Sequence, residues 1–234
     1  MAPVLALSFA SGCCVLMVTA RVAWTANYRY IALVWNLLLA WIPLVLALLA
    51  EEKFQAGAGR DWRFGGLAAV WLLFFPNAPY IFTDLIHLNG YFAAHFWVDL
   101  TLILCCALTG FVSGFVSLFL MQGMVRKTFG SPASWLFIAG VAVLSSFGVC
   151  LGRFMRFNSW DVLFKPMTLC HHLGGWIADP FAQKFSLAFA AIFAAFTFIA
   201  YLMLYALTHL QHSQPSVAAA AVAPLGRPFD VLPS

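Results

Sequence analysis

The chain has 234 residues, 64% hydrophobic and 9% charged, with a net charge of +4 and a mean hydropathy of +0.93. A soluble domain carries roughly a quarter charged residues, so 12 basic and 8 acidic side chains exclude a water-soluble enzyme of this length. The 24 Phe and 9 Trp exclude a disordered chain, and without a Lys/Arg block nucleic acid is excluded as a partner.

What remains is an all-α, polytopic transmembrane bundle whose first partner is the lipid bilayer. A helix needs about 20 apolar residues to cross the hydrocarbon core. On that ruler the chain predicts six spans, over 2–20, 31–50, 64–88, 98–121, 132–152 and 185–209. The third is broken at Pro76–Pro79. Residues 1–210 then form one transmembrane domain, and 211–234 a flexible tail rich in Ala and Pro. Val18-Thr19-Ala20 would suit a signal-peptide cleavage site, but no basic segment precedes the apolar run, which predicts a retained first helix. The six Cys contain no C-x-x-C pair and read as small buried residues, with Cys150 and Cys170 alone placed for a disulfide.

Six spans place Lys53, Arg60, Arg63, Arg126, Lys127 and Arg227 on one side, with Arg21, Arg29, Arg153, Arg156, Lys165 and Lys184 on the other. Arg153 and Arg156 sit in a polar motif; setting them aside puts both termini in the cytoplasm by the positive-inside rule. The segments after spans three and five are two crossings apart, so they share a face. Asn36, Asp99 and Thr101 enter from that face too. The polar groups converge on one end of the bundle.

Two prolines three residues apart interrupt the third span in Pro76-Asn77-Ala78-Pro79. The apolar stretch from Phe64 to Phe75 rises only about 18 Å, so the break falls at membrane depth. There, freed backbone is either buried in protein or lines a wet cavity. Beyond it come Asp84 and His87, one helical turn apart, then His95 and Asp99, four apart. Asp84, His87 and Asp99 are candidate acid/base groups. Together with His95 they are also a candidate ligand set for a divalent metal, since imidazole and carboxylate suit zinc, manganese or iron. The opposing view is that Asp84 caps a helix and the histidines sit at the interface.

Span five ends in Gly148 and Gly152, and span four carries Gly110 and Gly114. Such small-xxx-small patterns predict that these two helices touch. Arg153, Arg156, Asn158, Ser159, Trp160 and Asp161 follow at once. On a continuing helix the two guanidinium groups would lie side by side and hold a carboxylate or phosphate, with Asn77, Asn158 and Asp161 adding hydrogen bonds. An internal Arg–Asp84 or Arg–Asp99 pair, or simple snorkelling to headgroups, are the rival readings. Residues 163–178 are amphipathic and predict an interfacial segment roofing the site, with at most one of His171 and His172 pointing into it.

Phe75-Pro76-Asn77-Ala78-Pro79-Tyr80 through Thr83-Asp84-Leu85-Ile86-His87-Leu88, followed by Gly152-Arg153-Phe154 through Asn158-Ser159-Trp160-Asp161, resembles the bacterial membrane family catalogued as domain of unknown function 1361. The resemblance covers roughly residues 30–210. It implies a multi-span protein of the bacterial inner membrane and carries no established activity. Neither retinal nor haem is expected. Spans five and six contain no Lys for a Schiff base, and the His lie at span ends or in loops.

The residues therefore predict a polar site of Asn77, Asp84, His87, Asp99, Arg153, Arg156, Asn158 and Asp161. Three functions compete for it. They are an enzyme acting on a lipid or lipid-linked anionic substrate, with or without a metal; a small-solute or proton-coupled transporter; and a non-catalytic scaffold. Internal repeats, frequent in transporters, are not visible in the sequence.

Overall fold

A computed structural model describes residues 2–26, 28–57, 62–88, 93–178 and 184–210. In chain order the helices are α1 (Ala2–Thr25), α2 (Ile31–Gln55), α3 (Trp62–Phe74), α4 (Asn77–Tyr80), α5 (Ala93–Phe129), α6 (Ser131–Met155), α7 (Asp161–Phe164), α8 (Pro166–Ala178) and α9 (Lys184–Leu210). Two 3₁₀ segments, Tyr28–Tyr30 and Ile81–Leu88, join α1 to α2 and extend α4. No strand occurs among the described residues. Six helical stretches are long and apolar enough to cross a membrane, the third being α3, α4 and the second 3₁₀ segment taken together. This is a multi-pass membrane protein.

The described residues up to 199 form one compact unit, and α9 runs on to Leu210. The expected tail, 211–234, lies outside the described residues.

α5 is the centre of this unit. Of its most apolar window 67% is buried, against 17–39% in the other spans. Its inward positions recur at helical spacing, Leu102 and Ile103, Cys106 and Ala107, Phe111, Phe115 and Leu118. α1, α2, α4 and α6 all pack on it. Lipid tails are as apolar as these side chains, so close packing rather than water exclusion holds such helices together.

The first and fourth helices outrun their predicted spans. α1 continues through Arg21 to Thr25, because Arg21 is buried in the bundle and not a loop charge. α5 reaches Phe129, and Gly130 then turns the chain with φ 88° into Ser131-Pro132, the start of α6.

The glycines do not serve the contact predicted for them. A Cβ on Gly114 would stand 2.5 Å from Ala78 Cβ, and one on Gly148 would stand 2.6 Å from Pro76 Cγ. The broken part of span three therefore presses into notches in both α5 and α6. α5 and α6 do touch, but their glycines make room for α4. Asn77 fastens the break, its Nδ2 donating to Phe74 O at 2.9 Å and to Ser159 Oγ at 3.1 Å.

Candidate functional site

The eight residues of the 3₁₀ segment Ile81–Leu88 are an unusually long run for this tighter helix. Its three-residue turn stacks positions i and i+3, which brings His87 over Asp84. His87 Nε2 lies 3.8 Å from Asp84 Oδ1, and the imidazole is exposed while the carboxylate is buried. Asn36 Nδ2, from α2, donates to Asp84 Oδ2 at 2.7 Å.

From the end of α6, Arg153 Nη1 donates to Asp84 Oδ1 at 3.3 Å and to Tyr80 Oη at 3.4 Å. Its Nη2 donates to the carbonyl of Thr83. The guanidinium also lies over the Tyr80 ring, 5.7 Å from its centroid. A carbonyl, a carboxylate and an aromatic face thus take up Arg153. It is an internal partner.

Arg156 has a different position. α6 stops at Met155 and Arg156 caps it in the left-handed region, φ 57°. The N–H of Phe157, the next residue, turns back to Leu151 O at 3.3 Å. The continuing helix that would have set two guanidinium groups side by side is absent. Arg156 is exposed, with no hydrogen bond or ion pair among the described residues.

His87, Asn77, Arg153, Arg156 and Asn158 all line one cavity of about 970 Å³. That lies at the upper end of the range usual for small-molecule sites. Its remaining wall is largely apolar and comes mainly from α2, α3 and α6, with Pro76 and Tyr80 of the break, Val162 of α7 and Leu169 of α8 adding to it. The predicted roof is therefore present in part. His171 is exposed and outside the lining, and the His172 side chain lies outside the described residues.

Asp161 is not part of the lining. Its Oδ2 accepts the backbone N–H of Asn158 at 2.8 Å, and Lys165 Nζ stands 3.2 Å from Oδ1. The Asn158 N–H, helped by Lys165, holds this carboxyl below the usual carboxylate range. Asp161 fastens the turn that presents Arg156 and Asn158.

Asp99 and His95 belong elsewhere. Asp99 is fully buried and receives Arg21 through both oxygens, Nε to Oδ1 at 2.6 Å and Nη2 to Oδ2 at 3.1 Å. The Arg21 guanidinium lies 5.8 Å from the Trp24 ring and 5.3 Å from that of Tyr30. His95 packs edge-on against Trp24 at 5.4 Å. The polar residues do collect at one end of the bundle, but as two constellations. The expected four-residue metal set is divided between them, and no three His, Cys, Asp or Glu side chains converge on a common point among the described residues. Asp84 and His87 would offer two donors, and a guanidinium already sits on that carboxylate. These donors do not fit a divalent cation.

Sequence reasoning missed Arg21, which was counted with the loops, and Tyr80, which has no charge to draw notice. Asn36 was visible as a polar residue entering from the right face; its partner was not.

The fold and site define a six-span helical membrane protein with a cation-rimmed cavity, lined in part by an exposed histidine that faces a buried aspartate. The chain belongs to the family described as proteins of unknown function, DUF1361, whose model matches residues 35–203. No curated protein matches it, and no solved structure does.

Proposed function

We propose that this protein is an enzyme of the bacterial inner membrane that acts on a lipid or lipid-linked anionic substrate. The observation that carries the reading is Arg156, a guanidinium without a partner among the described residues, in the same cavity wall as His87. Arg156 is exposed at the mouth of the cavity, so its guanidinium can take up an anionic group without displacing an internal partner. Its planar fork suits phosphate or carboxylate, and Asn158 adds an amide beside it. Asp84, held by Asn36 and Arg153, stands 3.8 Å from His87 Nε2 and sets which edge of the imidazole faces inward. With Nε2 turned to Asp84, Nδ1 is the nitrogen left to take a proton from the bound group or return one.

The charge count supports an extracytoplasmic site with both termini in the cytoplasm. Arg21 and Arg153 are withdrawn into the bundle, 6% and 14% exposed, and are set aside from the count. That leaves Arg29, Arg156, Lys165 and Lys184 against the other side's Lys53, Arg60, Arg63, Arg126, Lys127 and Arg227.

The test is native mass spectrometry of protein released from nanodiscs containing anionic and zwitterionic lipids. Anionic lipid should be retained preferentially, and Arg156→Ala should abolish the preference. His87→Ala should keep the lipid bound but fail to restore the membrane-lipid profile of cells lacking the protein. Equal retention of both lipid classes by the wild type would remove this reading. The broken third span also suits a carrier. Anion uptake into proteoliposomes, undiminished by His87→Ala, would favour that alternative.

A further inference from the structure

The cavity has a second half that the anion reading leaves unused. Below the polar rim it is walled by Trp35 and Leu39 of α2, Ala69 and Leu73 of α3, and Leu144 and Phe147 of α6. Trp35 of α2 and Leu144 of α6 line the cavity and are each 54% exposed, so the cavity is open at both positions and not closed over. The small side chain of Ala69, itself exposed, leaves a floor between those two positions.

Depth follows from α6, which is unbroken between Leu144 and Arg153. Nine residues rise about 13 Å, close to half of a hydrocarbon core about 30 Å thick. The deeper wall of Leu39, Ala69, Leu73 and Leu144 offers no polar side chain, so water there would find little to bond. An anion arriving from the aqueous phase would use the rim and leave the groove empty. A hydrocarbon chain moving sideways from the bilayer exchanges one apolar surrounding for another and fills it.

We propose that this groove is a hydrocarbon-chain site, loaded sideways from the bilayer between α2 and α6, and that the ligand is a long-chain lipid anion. The proposal rests on the reading of Arg156 as the anion site. It adds that affinity comes from the chain as well as the head. General contact with annular lipid does not account for the arrangement, because the groove is continuous with a guanidinium that has no partner among the described residues at its polar end.

Hexadecyl phosphate and inorganic phosphate are the two probes, each added to protein in zwitterionic nanodiscs. A ligand that binds the folded state raises the melting temperature by mass action. Hexadecyl phosphate should raise it and inorganic phosphate should not. Ala69→Trp and Leu144→Trp, both at exposed positions, should each melt like the wild type without ligand and lose most of the rise. Arg156→Ala should lose it as well. If both groove variants keep the full rise, or inorganic phosphate alone produces it, the chain site is overturned and the anion site stands. If neither probe moves the wild type, the anion reading fails and takes the chain site with it.

Discussion

Arg153 reaches from the last turn of α6 to Asp84 in the broken third span, Nη1 to Oδ1 at 3.3 Å, joining the two polar segments that flank the cavity. The Asp84 side chain is 6% exposed and that of Arg153 14%. The pair lies inside the bundle, where solvent screening does little to weaken it.

Removing one partner leaves the other charge buried. Arg153→Ala should therefore destabilise the protein by about 3–5 kcal/mol. Adding Asp84→Asn to Arg153→Ala should recover much of that loss, because no unpaired charge remains. Thermal unfolding of the single and double variants checks it. Arg156→Ala, with no partner to strand, should melt like the wild type.

The Arg21–Asp99 pair clasps α1 to α5 and does not touch the cavity. Asp99→Asn should lower stability by about 3–5 kcal/mol, and the double change Arg21→Met, Asp99→Leu should restore it. Retention of anionic lipid should be unaffected in the restored double variant. A loss of lipid there would return Asp99 to the binding site.

Gly148→Ala drives a Cβ against the rigid ring of Pro76, with contacts of 2.6 and 2.9 Å. Overpacking of this kind costs about 1–3 kcal/mol. On the same helix Gly140 has nothing within 4 Å of its missing Cβ. Gly140→Ala should be neutral, or stabilising by up to about 1 kcal/mol through helix propensity. Melting curves of the two variants should therefore move apart.

The Asp161 carboxyl titrates lower in the folded protein than in an unfolded chain, where its pKa is about 3.9. Such a group contributes its stabilisation in full above the unfolded value and loses it as pH falls toward the folded one. Hydrogen exchange at the Asn158 amide, corrected for intrinsic rate, should be flat near neutrality and rise below about pH 4. Asp161→Asn should remove that pH dependence.

Asp84 and His87 lack a third donor, and Arg153 already neutralises the carboxylate, so a chelator should not lower the melting temperature. Metal analysis of purified protein should find no stoichiometric zinc, manganese or iron. A bound metal whose removal lowers the melting temperature would overturn the geometric assignment of Asp84 to Arg153.

The spans, the break at Pro76–Pro79 and the gathering of polar groups at one end were legible in the sequence. Each depends on local physics: apolar runs long enough to cross a bilayer, prolines that cannot donate, and the parity of crossings. Family membership was legible too, through two long motifs in fixed order. What only the tertiary structure decided is pairing. Arg21 finds Asp99 across 78 residues and Arg153 finds Asp84 across 69. Nothing in the local pattern distinguishes those partners from the reverse assignment. The same holds for Gly148, whose notch reads as helix–helix packing until Pro76 is seen inside it. Arg156 escapes pairing because α6 stops one residue before it and a left-handed turn carries it away from Arg153. Helix termination at a non-glycine residue leaves little trace in a single sequence. That turn divides one predicted arginine fork into an internal strut and a cation with no partner among the described residues.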